Sequence, residues 1–166
     1  MAQFGDARDG LQIYLQSKKA AFRGAAGPGA TALGTGKDGR SVLAVGGADG
    51  TVQLWDPASG DPIGGPMTGH QGAILSLAFG SDHDGRLLLA SGGADSAVRV
   101  WDATDGHLVR DPWHGDQGPV WSLLFGDSDG RGGGGVFVGA GGNDGTVELW
   151  DLASGDLIHG PLVGHQ

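Results

Sequence analysis

The 166-residue chain contains no cysteine, which excludes disulfides, thiolate chemistry and cysteine-ligated zinc, and leaves the compartment open. No apolar run approaches the ~18 residues that a membrane span requires, and the N-terminus lacks the apolar stretch of a signal peptide. Charged residues are also sparse, at 17%. We therefore expect a soluble, cytoplasmic protein that does not engage membranes.

The charge that is present is mostly negative. The net charge is −9, and residues 1–24 contain more basic than acidic groups, so the rest of the chain is more acidic than the total suggests. A surface of this sign repels the phosphate backbone, and we expect no nucleic-acid partner.

Glycine is abundant, at 36 residues, and its spacing decides between disorder and a repeated fold. A Trp-Asp pair recurs after 46 and then 49 residues, and a glycine follows each of these tryptophans by 14 residues. The pairs are Trp55-Asp56, Trp101-Asp102 and Trp150-Asp151, and the glycines are Gly69, Gly115 and Gly164. A fixed period of this length indicates a repeat architecture rather than disorder.

Each unit shows the pattern of four short strands. An apolar stretch closed by glycine comes first, at residues 74–79 and 120–125, and a continuous apolar run follows, at residues 87–90 and 136–138. A run without alternation is typical of a strand covered on both faces. Turns rich in glycine and aspartate then lead into a third strand, and a weak fourth strand follows around Ile63, Leu108 or Leu157. The third strands are predicted at residues 52–55, 98–101 and 147–150.

A proline marks the fourth strand of every unit, at Pro66, Pro112 and Pro161. Because proline cannot donate to a ladder, this strand should be the outer edge of its sheet. The predicted fold is therefore all-β, a partial β-propeller of three four-stranded antiparallel blades. The predicted boundaries are residues 25–69 for blade 1, 70–115 for blade 2 and 116–166 for blade 3, after an N-terminal segment at 1–24.

The second unit resembles the WD-repeat family, and the resemblance extends over residues 28–166. It rests on Gly69-His70 at the start of the unit, Asp95 in the turn and Trp101-Asp102 closing the third strand. In that family a histidine, a strand serine or threonine, the turn aspartate and the tryptophan form a buried hydrogen-bonded tetrad. The resemblance implies such a tetrad at His70, Ser91, Asp95 and Trp101.

The first and third units depart from this pattern. The histidine position contains Ala26 and Asp116, and the serine position contains Val45 and Ala140. Two partial tetrads are left, Asp49 with Trp55 and Asp144 with Trp150.

The N-terminal segment leaves two alternatives open. Apolar and polar residues alternate over residues 9–16, behind an Asp-Gly pair, as a third strand would behind its turn. The segment lacks the Trp-Asp pair, so a degenerate strand of a preceding blade and a helix remain equally good interpretations.

Motifs of catalysis and cofactor binding occur only in fragments. Residues 34–39 match G-x-G-x-x-G, but they align with the turn between the first two strands. The aspartates at residues 82–84 and 127–129 lack the glutamate that a calcium loop requires, and the six histidines show no zinc-binding spacing. Ser91 would lie in mid-strand, away from any cleft, so the Ser-His-Asp set favours a structural network over a catalytic triad. We expect no catalytic residue, cofactor or metal.

Two further tryptophans, Trp113 and Trp121, invite comparison with binding anchors. Their equivalents in the other units are also apolar, and packing between blades is the expected role.

The predicted function is a non-catalytic scaffold for protein–protein interaction, because rigid blades with variable turns commonly carry recognition. If His70 and Asp95 share a tetrad, the connection into the first strand and the turn before the third strand open on one face. The predicted binding face contains Gln71, Ala94, Gln117 and Asn143. One alternative is a regulatory or sensing segment of a larger enzyme, and another is a propeller enzyme with its site at the central opening.

The number of units also predicts association. Three units fall short of the roughly four to eight blades that close a ring, so the end blades should expose apolar faces. We expect either that two chains associate into a closed ring of six to eight blades or that the sequence continues in a longer propeller.

Overall fold

The structure, a computed structural model, describes residues 28–116, 118–127 and 136–163. These residues form three antiparallel sheets of four strands, in which strands adjacent in sequence are also hydrogen-bonded neighbours. The predicted partial β-propeller is thus confirmed. None of the described segments forms a helix with the length and apolar character that a membrane crossing requires.

Each sheet is one blade of the propeller. Blade 1 consists of β1 (Pro28–Thr35), β2 (Ser41–Gly47), β3 (Val52–Trp55) and β4 (Pro62–Met67). Blade 2 consists of β5 (Ile74–Ser81), β6 (Leu87–Gly93), β7 (Ala97–Asp102) and β8 (Trp113–His114). Blade 3 consists of β9 (Ser122–Asp127), β10 (Val136–Gly141), β11 (Thr146–Asp151) and β12 (Leu157–Val163). The predicted N-terminal segment, residues 9–16 included, lies outside the described residues.

The fourth strand lies at the edge of its sheet, as the prolines predict. The prediction for blade 2 holds only in part, because β8 has two residues and Leu108 forms an isolated bridge with Trp101. The backbone of His107 and Val109 is still hydrogen-bonded to β7, at Asp102 and Val100, and Leu108 and Val109 are both 40% exposed.

The core lies between the blades. The side of a blade that faces the next blade along the chain is its distal face, and the opposite side is its proximal face. One apolar cluster joins the distal face of blade 1 to blade 2, and a second joins blade 2 to blade 3. Because blade 2 is covered on both faces, every residue of β6 and β7 is buried. This explains why the sequence of β6 is continuously apolar.

The joints between blades repeat one steric device, in which an aromatic ring of one first strand lies against a glycine of the preceding first strand. A Cβ atom built on Gly34 would meet the Phe79 ring at 2.5 Å, and one on Gly80 would meet the Phe125 ring at 2.1 Å. Glycine is required at both positions because any side chain would displace the ring.

Candidate functional site

Four side chains of blade 2 form a continuous hydrogen-bonded chain. The Trp101 indole N–H donates to Ser91 Oγ at 2.8 Å, and Ser91 Oγ lies 2.8 Å from His70 Nε2. His70 Nδ1 in turn lies 2.9 Å from Asp95 Oδ1. Two strands, a turn and a connection supply these groups, since Ser91 is in β6, Trp101 in β7, Asp95 in the turn between them, and His70 in the connection before β5. The structure therefore brings together the four residues that the resemblance implied.

The contacts of His70 with Asp95 and Ser91 assign its tautomer. Because Asp95 only accepts, the proton of the imidazole is placed on Nδ1, and Nε2 accepts from the Ser91 hydroxyl. Ser91 then accepts from Trp101 and donates to His70, which uses both capacities of its hydroxyl. Each polar side-chain atom of this four-residue network therefore has a hydrogen-bond partner, as burial requires.

Arg99 is a fifth member that the sequence analysis missed. Its Nη1 donates to Asp95 Oδ2 at 3.1 Å and lies 2.9 Å from His70 Nδ1. Because Arg99 is only 8% exposed, water does little to stabilise its positive charge, and the ion pair with Asp95 compensates that charge instead. A signal was present, because Arg99 precedes Trp101 by two residues on an alternating strand and so shares its buried face.

Burial and charge set the protonation states of the network. Burial lowers the pKa of His70, and the Arg99 guanidinium lowers it further, against the opposing effect of Asp95. Burial alone would raise the pKa of Asp95, but hydrogen bonds from the Gln71 N–H and from His70 lower it to about 2. At neutral pH the network thus contains a neutral imidazole between a carboxylate and a guanidinium.

The network fixes the edge of the blade that carries the predicted binding face. The backbone N–H of Gln71 donates to Asp95 Oδ2 at 2.9 Å, and the N–H of Ala94 donates to the carbonyl of Ala73 at 2.9 Å. The connection into β5 is thereby bonded to the turn between β6 and β7.

This edge, which we term the turn edge, consists of the connections at residues 68–73, 115–116 and 118–121 together with the turns at 48–50, 94–96 and 143–145. Its exposed residues include Gln71, Ala94 and Asn143. A Cβ atom built on Gly118 would lie 3.8 Å from the Cβ atom of Asn143, so the connection and the turn are close to each other. Gln117, the fourth predicted residue of the binding face, lies outside the described residues.

Blade 3 lacks the network and contains acidic groups in its place. Ala140 stands where Ser91 does, and among the described residues no acceptor meets the buried indole N–H of Trp150. Glu148 stands where Arg99 does and is 9% exposed. Burial raises the pKa of Glu148, and the charges of Asp116 and Asp144 raise it further.

The turn aspartate retains a local role in both outer blades. Asp49 Oδ1 accepts from the Thr51 N–H at 3.1 Å and from its hydroxyl at 2.7 Å. Asp144 Oδ1 makes the same two bonds with Thr146, at 3.0 and 2.6 Å. These hydrogen bonds hold the pKa of each carboxyl below its usual value, and the bond from the threonine hydroxyl has the largest effect. In both outer blades, the aspartate of the partial tetrad therefore caps its own turn.

Blade 1 has a neutral residue, Gln53, at the position of Arg99. The Nε2 atom of Gln53 donates to the carbonyl of Leu54 at 2.9 Å. Val45, at the position of Ser91, is buried at 8% exposure. Ala26, at the position predicted to correspond to His70, lies outside the described residues.

The remaining motifs fall where the strand pattern placed them. Residues 36–40 form the turn between β1 and β2, so the G-x-G-x-x-G match opens a strand instead of a helix. Asp82 Oδ1 accepts from the N–H groups of Asp84 and Arg86 at 3.0 and 2.9 Å, as a turn aspartate does. Among the described residues no group of three or more histidine, aspartate or glutamate side chains could hold a metal.

The two additional tryptophans differ from each other. Trp113 is 6% exposed and stacks on Trp150 of blade 3, with ring centroids 5.8 Å apart, which is the expected packing between blades. Trp121 is 56% exposed, so packing is the wrong expectation for this residue. The sequence predicts a first strand from Val120, but β9 begins at Ser122. Of the two residues before it, Val120 is buried and Trp121 is exposed.

Three sheets of four antiparallel strands, joined by buried faces and by repeated glycine–aromatic contacts, define a β-propeller of the WD type. The family model for the WD domain, G-beta repeat, matches the chain at residues 19–56, 62–102 and 106–151, which together cover more than half of its length. The chain therefore belongs to the WD-repeat family. No curated protein matches it.

The sequence repeat and the blade are out of phase. The match at residues 62–102 begins in β4 of blade 1 and ends in β7 of blade 2, and the next match likewise begins before β8 and ends in β11. Each sequence repeat thus spans the joint between two blades.

Proposed function

We propose that the chain is a non-catalytic module that binds other proteins through its turn edge. WD-repeat domains generally mediate protein–protein interaction. The observation that supports the proposal here is the five-residue network of blade 2, which bonds a connection and a turn into one rigid platform while leaving Gln71 and Ala94 exposed. A platform of this kind loses little conformational entropy when a partner binds.

The charge of the turn edge indicates the partner's chemistry. Asp49, Asp116 and Asp144 are exposed there, and Arg99, the basic side chain described at this edge, is buried against Asp95. At the opposite edge, in the turns between first and second strands, the exposed Asp38 and Asp84 are accompanied by the exposed basic residues Lys37, Arg40 and Arg86. A basic segment of a partner would therefore be attracted to the turn edge.

The test is affinity capture with a matched pair of charge variants. Immobilised wild-type chain is incubated with lysate, and bound proteins are identified by mass spectrometry. Asp116→Arg should lose the partners, since it reverses a charge on the turn edge. Asp84→Arg, which reverses an equally exposed charge at the opposite edge, should retain them. Equal capture by the two variants would contradict the proposal.

The enzymatic alternatives are weaker on the geometry. A cleft of about 470 Å³ lies between β5 and β9, and its lining includes Phe79, Phe125, Asp82 and His83. Asp82 already accepts the hydrogen bonds of its own turn, and His83 is exposed.

The cytoplasmic location stays a prediction, which fractionation of cells that express the tagged chain would check.

A further inference from the structure

Equivalent positions of the three blades have different surroundings on their distal faces. Met67 of β4 and Trp113 of β8 are 5% and 6% exposed, because the next blade covers them. Leu162 occupies the same position of β12 and is 48% exposed, and Ile158, on the same strand, is 43% exposed. The distal face of blade 3 is thus a third copy of a surface that is covered twice within the chain.

The first strand of blade 3 corresponds to the receiving half of the repeated joint. Its Gly126 is the equivalent of Gly34 and Gly80, which receive the Phe79 and Phe125 rings, but the ring of Phe137 on β10 of the same blade lies over it, 2.4 Å from a built Cβ atom. Leu124 lies beside it on the same face of β9 and is 48% exposed. Leu124 pairs with Gly139, whereas blades 1 and 2 pair alanine with alanine at these positions. One large and one minimal residue thus replace two small ones, and the face stays apolar.

The first strand of blade 1 carries the inserting half. Leu33 of β1 is the equivalent of Phe79 and Phe125, and it is 57% exposed. At the second strand of this proximal face Leu43 and Val45 are already buried, at 7% and 8% exposure. The portion of blade 1 open to a partner is therefore its first strand, which is also the element that meets the preceding blade in both internal joints.

We propose that the distal face of β9 in one chain receives β1 of a second copy, with Leu33 of the second copy lying against Leu124 and against the Phe137 ring that covers Gly126. One half of the joint is on blade 1 and the other is on blade 3, so the contact is head-to-tail. Two such contacts close a dimer into a ring of six blades, a number within the range of propellers.

The oligomeric state tests the proposal through residues that are exposed in the single chain, whose substitution therefore leaves its fold intact. Light scattering coupled to size exclusion should give the mass of two chains for the wild type. Leu33→Arg and Leu124→Arg should each give the mass of one chain, because a charge cannot be buried in the joint. Leu108→Arg, which adds the same charge to a site 40% exposed on the outer edge of blade 2, should remain a dimer. A monomeric wild type would overturn the proposal.

Cross-linking tests the polarity of the contact, and the absence of native cysteine makes the result unambiguous. Leu33→Cys and Leu124→Cys proteins, treated with a short bismaleimide, should form a covalent dimer only when mixed. A covalent dimer from either protein alone would indicate a face-to-face contact and overturn the head-to-tail arrangement. Dimers that both arginine variants leave intact would also overturn it.

Discussion

Ser91 Oγ lies 2.8 Å from the indole nitrogen of Trp101, and the equivalent tryptophan of blade 3, Trp150, has Ala140 in place of this serine. The missing hydroxyl leaves a buried, unpaired donor in blade 3, where Asp116 and Glu148 also replace His70 and Arg99. Stability should accordingly be concentrated in blade 2.

Removing the central hydroxyl tests that distribution. Ser91→Ala should lower the free energy of unfolding by about 1–3 kcal/mol, since it leaves the buried Trp101 N–H and His70 Nε2 without their partner. Urea denaturation provides the measurement, and Ser41→Ala, at an exposed position of β2, is the control. Equal losses in the two variants would show that the network does not stabilise the fold.

Rebuilding the network in blade 3 tests the converse. Ala140→Ser supplies an acceptor for the Trp150 N–H, and Asp116→His supplies the next acceptor along the chain. The double variant should be more stable than either single variant, with a coupling of about 0.5–1.5 kcal/mol for the new bonds. Ala90→Ser introduces a hydroxyl at a fully buried site facing blade 3 and should be destabilising. Additive effects of the two substitutions would contradict the prediction.

The pH dependence follows from His70. Its pKa is lowered in the folded state, chiefly by burial, so the unfolded state binds the proton first as the pH falls below 6.5. Stability should therefore be complete above this value and decline as the pH falls toward the folded pKa. Asp95, whose folded pKa is about 2, adds a second loss only below its ordinary value of 3.8.

Thermal melts between pH 7.5 and 5 would measure the effect of His70. The His70→Gln variant should lose most of the decline, because glutamine does not titrate. His83→Gln, at an exposed histidine, should keep it. A decline that persists in His70→Gln would assign the titration to another group.

The turn of blade 2 contains a residue in an unfavourable backbone conformation. Ser96 has φ of 62°, where blades 1 and 3 have Gly50 at 82° and Gly145 at 78°. Ser96→Gly should raise the free energy of unfolding by about 0.5–1 kcal/mol, because glycine adopts positive φ without a steric penalty. Ser96→Ala retains the Cβ atom and should give no gain, and differential scanning calorimetry would compare the two.

Local chemistry made most of the fold predictable. The glycine and aspartate turns, the alternating third strands ending at Trp55, Trp101 and Trp150, and the proline-marked edge are all short-range signals, and the sheets follow them. The exception is β8, which shrinks to Trp113–His114. Between the Leu108 bridge and β8 lies Arg110, whose guanidinium is over the Trp113 ring at 5.0 Å and whose Nη1 donates to the carbonyl of Leu152.

The site was only partly predictable, because its members come from separate turns and strands. Asp95 and Trp101 are recognisable within one unit, whereas the role of Arg99 depends on a histidine 29 positions away. The acidic substitutions of blade 3 have the same origin, since the burial of Glu148 depends on packing that no local pattern encodes. Likewise, the exposure of Trp121 depends on where β9 begins.

The offset between sequence repeat and blade bears on how such a chain can grow by duplication. A copy of residues 62–102 inserted after itself would add one outer strand and three inner strands, which belong to two different sheets. The inserted outer strand would complete the old sheet, and the displaced one would complete the new sheet. An ancestral gene could therefore lengthen the array by one unit at a time without passing through an intermediate that contains half a blade.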